Sequence, residues 1–258
     1  MKKVVVKIGG SLAIDEAKLL DFTRAVAKLS AQGFQVAVVH GGGKDINENI
    51  ALLSEEPRFI EGLRVTTPSI MKMVEMTLSG HVNKKLVRML ENEGASAIGI
   101  SGVDGKLFEA KKREGGVDLG QVGNIAKVNP KIVTDLWTAG WTPVVSPISI
   151  GEGVAWNVNA DTAASELAIA LQADKFLLVS DVPGVLDKEK NLVSSLDEAK
   201  VDALIADGTI SGGMIPKVKE SIKAIKLGLG EIHILGWKDA DTFVKQIQGE
   251  LNYGTILR

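Results

Sequence analysis

Two glycine runs with basic neighbours, Lys7-Ile8-Gly9-Gly10-Ser11 and His40-Gly41-Gly42-Gly43-Lys44, carry the clearest chemical signal in this sequence. Each follows a stretch of β-branched residues, where a strand hands over to a turn. Glycine at such a point lets backbone N–H groups approach an anion, and in open α/β sheets ligands collect beyond the carboxyl ends of the strands. Either run alone is equally explained as a tight turn, whereas two at equivalent strand ends suggest a double anion site. Neither is a Walker A loop, since Gly43-Lys44 is followed by Asp45 rather than Ser or Thr, and no G-x-G-x-x-G opens a helix after the first strand. A second group consists of polar residues in apolar or glycine-rich settings: Lys7 within a strand, Arg64 in Gly62-Leu63-Arg64-Val65-Thr66, Asn157, Asn159 and Asp161 in Trp156-Asn157-Val158-Asn159-Ala160-Asp161, and Lys217 after Gly212-Gly213-Met214-Ile215-Pro216. Taken singly, each reads as a solvated or capping residue, and Asp161, opening the segment that runs to Leu171, reads as a helix cap. The absence of cysteine excludes disulfides, thiolate metal ligands and a thiol nucleophile, and His40, His81 and His233 share no metal-ligand spacing.

The elements that must hold these residues follow from periodicity. Val4–Val6, Val36–Val39, Ala97–Ile100, Pro143–Val145, Phe176–Val179 and Ile232–Leu235 read as strands buried on both faces. Helical spacing links Leu19, Phe22, Val26 and Leu29, and recurs at Met73 to Leu90, Ile132 to Trp137, Leu167 to Leu171 and Val218 to Ile225. Thr67-Pro68 and Asn129-Pro130 mark helix starts, each a capping residue followed by proline. The alternation predicts an α/β fold with three layers: an open, mostly parallel central sheet with helices on both faces. Leu107 to Val128, rich in glycine and charge, reads as hairpins added to the edge of that sheet. A fresh βαβ series after Gln172 predicts two lobes sharing one sheet, residues 1–172 and 173–258.

The 258 residues are 45% apolar and 24% charged, and 28 glycines against 7 prolines imply many turns without low complexity. Thirty basic and thirty-two acidic side chains leave a net charge of −2, so no summed field attracts a polyanion or an anionic membrane. Neither nucleic acid nor membrane is expected as a partner. Lys2, Lys3 and Lys7 break the apolar amino terminus too soon for a signal peptide, and the longest uncharged run, Trp137 to Gly151, is short for a membrane span and holds Gly140, Pro143 and Pro147. A cytoplasmic location is the expectation.

Taken in order, Lys7–Ser11, Val39–Gly43, Gly62–Thr66, Leu78-Ser79-Gly80-His81-Val82-Asn83-Lys84, Asn157–Asp161, Ser180–Leu186 and Gly212–Val218 resemble the acetylglutamate kinases of the amino-acid kinase superfamily, over essentially the whole chain. The resemblance implies phosphoryl transfer from ATP to the side-chain carboxylate of N-acetyl-L-glutamate, giving an acyl phosphate in arginine biosynthesis. Such a carboxylate, with an ordinary pKa of about 4.3, is already ionised at neutral pH, so no general base is needed. The obstacle is an anion attacking a polyanion, which calls for alignment and positive charge.

By motif match, Lys7 and Lys217 would flank the transferring phosphoryl group, Asp161 would keep both ammonium groups charged and aimed, and Gly9, Gly10 and Gly42 would donate backbone N–H groups. Arg64 would grip the α-carboxylate bidentately, with Gly42, Gly43 and Asn157 completing the acid's pocket in the first lobe. Asp181, Val182, Pro183, Gly184, Val185 and Leu186, with Thr209, Ile210 and Ser211, would hold the nucleotide in the second. Mg2+ would be held mainly by ATP phosphates, with no dedicated side-chain metal site. Arginine-inhibited hexameric members resemble this chain but carry an additional N-terminal helix, whereas here the first strand begins by Val4, so a homodimer is expected. A sister kinase acting on an aminoadipate derivative or carbamate, and a non-catalytic sensor of the same fold, are the competing readings.

Overall fold

The computed structural model describes residues 1–52, 55–212 and 214–258; Gly213 of the glycine motif before Lys217, and the side chains of Ser11 and Pro216, lie outside the described residues. The chain divides into two compact units, residues 1–36 with 164–258, and residues 37–163. This division differs from a boundary at 172 because the first strand is hydrogen-bonded to a strand made much later in the sequence.

In the first unit, β1 (Lys3–Ile8) leads through the short α1 (Gly10–Ile14) into α2 (Glu16–Ala31). Val4, Val5, Val6 and Ile8 are wholly buried, as a strand covered on both faces requires. Asp15 caps α2 by accepting from Lys18 N at 3.1 Å, and Leu19, Phe22, Val26 and Leu29 form its buried stripe.

The second unit begins with β2 (Gln35–His40), α3 (Gly43–Ala51) and the small hairpin β3 (Phe59–Ile60) and β4 (Leu63–Arg64). Thr67 accepts from Ile70 N at 3.3 Å and starts α4 (Pro68–Glu75), as its sequence predicts. A π-helical segment, Met76–Val82, joins α4 to α5 (Asn83–Asn92). The chain continues through β5 (Ala97–Ser101), β6 (Phe108–Lys112), β7 (Gly123–Val128), α6 (Lys131–Thr138), β8 (Thr142–Ser146), β9 (Ser149–Gly151), β10 (Val154–Trp156) and α7 (Ala160–Leu171). Helix α6 starts at Lys131, one residue later than the Asn129-Pro130 signal suggests, with Asn129 Oδ1 accepting from Lys131 N at 3.4 Å. Strands β2, β8 and β5 are parallel neighbours.

The 107–128 excursion does not extend that parallel sheet. β6 and β7 pair antiparallel, with a register shift between Glu109 and Ala110, and β6 pairs with β9 to give a separate four-stranded sheet in the order β10-β9-β6-β7. The reason lies in β9 and β10, a hairpin turning at Glu152 and Gly153, both with positive φ, which offers β6 a partner about forty residues away. Bridges Thr66 to Gly120 and Val122 to Asn157 tie the loop between β6 and β7 to Asn157 and to the segment that follows Arg64.

The first unit resumes with β11 (Lys175–Ser180), β12 (Ser195–Leu196), α8 (Glu198–Ala206), α9 (Met214–Lys226), β13 (Glu231–Gly236), α10 (Ala240–Gln248) and β14 (Thr255–Leu257). Its strands run β12-β14-β13-β11-β1, parallel except between β13 and β14. Phe22, Trp237 and Phe243 pack with ring centroids 5.2–5.9 Å apart, fixing α2 to α10. No helix among the described residues is long and apolar enough to cross a membrane.

Candidate functional site

The second unit holds a cavity of about 190 Å³ beyond the carboxyl end of β2. Gly42, Gly43, Arg64 and Asn157, separated by up to 115 residues in sequence, all line it, together with Phe59, Leu78 and Val122. The glycine turn is positioned from beneath. His40 is fully buried, and burial pushes its pKa down to about 4, so the ring is neutral. Its Nδ1 lies 2.9 Å from Gly41 O and its Nε2 lies 3.1 Å from Asn83 Nδ2, which sets the proton on Nδ1 and makes Nε2 an acceptor. Asn83 also donates to Val144 O at 3.0 Å, linking the turn to β8. A Cβ on Gly42 would lie 2.7 Å from Leu78 Cδ2 and 3.2 Å from Val82 Cγ2, so the π segment packs where only hydrogen fits.

Arg64 is 7% exposed, and burial lowers its pKa from the ordinary value. Its Nη2 donates to Asn47 Oδ1 at 2.6 Å and to Gly43 O at 3.2 Å, and its Cζ sits 4.7 Å from the centre of the Phe59 ring. Both Nη2 hydrogens are thereby committed, so the bidentate grip expected of Arg64 is not available in this arrangement. Nη1 is buried and meets no hydrogen-bond partner. Among the described residues lining the cavity, Arg64 is the one ionisable group. Asn157 Nδ2 donates to Thr66 Oγ1 at 3.0 Å, and that hydroxyl donates to Arg64 O at 2.9 Å, so the two polar walls share one hydrogen-bond chain.

Asp161 lies in the first turn of α7, but it is not the cap: Asn159 Oδ1 accepts from Asp161 N at 2.8 Å and Thr162 N at 3.2 Å. The capping explanation of Asp161 is therefore replaced by Asn159. In the first unit, Lys7 is the penultimate residue of β1, with its ammonium group beside Gly9, and Lys217 lies in the first turn of α9. Gly10 has φ of +60°, and a Cβ there would run into the Asp181 carboxylate, so these two assigned residues face each other at the ends of β1 and β11. Asp181 and Pro183 also line a cavity of about 270 Å³ with Lys18, Trp237, Lys238 and Tyr253. Along the same segment Val185 N donates to Thr255 Oγ1 at 2.8 Å, and Leu186 bridges to Leu192. Gly184 has φ of +149° and Val182 is 36% exposed. Thr209, Ile210 and Ser211 connect α8 to α9, with Ile210 buried and its N–H donating to Leu204 O at 2.8 Å. Sequence reasoning passed over Asn47, Phe59 and Asn83; an asparagine one turn into a helix that begins on a glycine run was the available signal for the first.

The profile of the amino acid kinase family matches residues 2–236. The chain belongs to that family. Among relatives of this amino acid kinase, the acetylglutamate kinase of Campylobacter curvus is 42% identical over 258 residues, covering 100% of this chain and 92% of that kinase. The acetylglutamate kinase of Chromobacterium violaceum is 38% identical, covering 100% and 91%. The crystal structure of smu.665 from Streptococcus mutans UA159 superposes with a TM-score of 0.83 at 26% identity, covering 99% of this chain and 98% of the other. The α/β class and the mostly parallel sheet flanked by helices, expected from the strand and helix periodicities, are those of this family.

Proposed function

We propose that this amino acid kinase is an acetylglutamate kinase, transferring the γ-phosphoryl group of ATP to the side-chain carboxylate of N-acetyl-L-glutamate. The observation that carries the reading is the second unit's cavity, where a buried guanidinium is the sole ionisable group among the described lining residues and has a nitrogen without an acceptor. A buried donor left unanswered costs about 1–3 kcal/mol, and more when charged, so an acid in the cavity that draws the guanidinium toward it offsets that cost. Arg64 thus serves recognition of an acid, with Gly42 and Gly43 offering N–H groups and Asn157 its amide to the rest of the molecule.

In this reading the acid attacks as the ionised carboxylate, so no side chain has to accept a proton. The buried, neutral His40 fits a supporting role for the glycine turn. Lys7 and Lys217 supply the positive charge that offsets repulsion between the reactants, Gly10 donates its N–H to phosphoryl oxygens, and Asp161 is the carboxylate that aims the two ammonium groups. Asp181 to Leu186 and Thr209 to Ser211 take the nucleotide, so that nucleotide binding belongs to the first unit and acid binding to the second. Mg2+ in this reading is carried mainly on the nucleotide phosphates. That ion would supply charge neutralisation between the phosphates. A cytoplasmic homodimer completes the reading, and light scattering after gel filtration checks its mass.

The test is ATP consumption measured in parallel with N-acetyl-L-glutamate, free glutamate and carbamate. The acetylated acid is expected to give the highest kcat/KM; preference for carbamate or free glutamate would overturn the substrate assignment, and no turnover with any acid would favour a sensor.

A further inference from the structure

We infer that Asn47 is a positioning residue for the acid substrate, acting through Arg64; the inference rests on the substrate reading above. Asn47 sits on α3, one turn beyond the glycine run. Its Oδ1 takes one hydrogen of Arg64 Nη2 at 2.6 Å, and Gly43 O takes the other at 3.2 Å. The Phe59 ring lies against the guanidinium, its centroid 4.7 Å from Cζ. The group is thus held along one edge by two oxygens and over one face by an aromatic ring.

Two consequences follow from counting hydrogens. With Nη2 fully used, neither guanidinium fork that needs an Nη2 hydrogen is on offer, and the donor left without an acceptor is Nη1. Arg64 therefore contributes direction through one nitrogen, and Asn47 decides which one. Removing the Asn47 oxygen lets the guanidinium turn about its long side chain, so binding the acid must also fix its orientation, and acid binding weakens. Charge on the transferring group comes from elsewhere, so the chemical step keeps its rate.

The experiment is a double-mutant cycle on steady-state kinetics with N-acetyl-L-glutamate. Asn47→Ala is expected to raise the KM for the acid about tenfold, the size of one hydrogen bond to a charged group, with kcat within about twofold and the KM for ATP unchanged. Asn47→Leu, which keeps the volume and loses the acceptor, is expected to match Asn47→Ala. In an Arg64→Ala background, Asn47→Ala is expected to add nothing, because its effect runs through the missing guanidinium. An equal effect in both backgrounds, or wild-type KM in Asn47→Leu, overturns the positioning role while leaving the substrate reading intact. Wild-type protein that ignores N-acetyl-L-glutamate overturns the substrate reading, and the inference with it.

Discussion

Acid should unseat the glycine turn through His40. The ring is wholly buried, burial sets its pKa at about 4 against an ordinary 6.5, and its Nε2 must remain an acceptor for Asn83. The unfolded chain therefore binds this proton first as pH falls. Stability from the neutral ring is complete above pH 6.5 and is lost progressively toward pH 4. At pH 5, about 1.5 pH units below 6.5, the loss from His40 is about 2 kcal/mol, taking 1.36 kcal/mol for each pH unit. His233 acts in the same direction: burial and the nearby Lys175 lower its pKa, and its Nδ1 accepts from Gln246 at 2.7 Å. Urea unfolding of wild type and His40→Gln at pH 7, 6 and 5 separates the two. Because His233 is present in both proteins, the variant should lose about 2 kcal/mol less than wild type between pH 7 and 5, whatever its own starting stability. Parallel pH dependences in the two proteins would refute the account of a buried, neutral His40.

Gly42→Ala places a methyl group 2.7 Å from Leu78 Cδ2 and 3.2 Å from Val82 Cγ2, against an ordinary contact of about 3.5–4 Å, so these two side chains must give way. Overpacking of this kind costs about 1–3 kcal/mol, and a Tm lowered by several degrees in calorimetry is the expected result; an unchanged Tm would mean that the Leu78 and Val82 side chains repack without cost. Arg64→Lys removes the two bonds to Asn47 and Gly43 along with Nη1, and the KM for the acid should rise roughly tenfold or more, while a rise confined to the KM for ATP would misplace the pocket. Lys217→Ala should lower kcat by roughly 10²–10³ with less change in either KM, as measured by coupled ATP assay; an unaltered kcat would remove Lys217 from the reaction.

The six parallel strands were legible because each is a short, mainly apolar run set between glycine, polar or charged residues. That Arg64 and Asn157 line one cavity was hinted at by their place in glycine-rich or apolar stretches, although each taken singly reads as a solvated or capping residue and only the motif match groups them. What stayed hidden depends on distant partners. β6 finds β9 across forty residues, and a register shift at Glu109 blurs the alternation that would have announced it. Asn159 and Asp161 both offer cap chemistry two residues apart, and the backbone chooses between them. Asn47 and Asn83 look like ordinary helix polar residues; one owes its meaning to a guanidinium and the other to an imidazole, neither of which is near in sequence.

Splitting the first unit between the two ends of the chain has a consequence for synthesis. β1 is complete at Ile8, yet its neighbour β11 begins at Lys175. At about 5–20 residues per second, that strand waits roughly ten to thirty seconds for a partner. Residues 37–163, by contrast, emerge as one uninterrupted stretch. The second unit's cavity is thus able to form before β11 is made, and the Gly9-Gly10 turn acquires its Asp181 neighbour only after residues 37–163 have emerged.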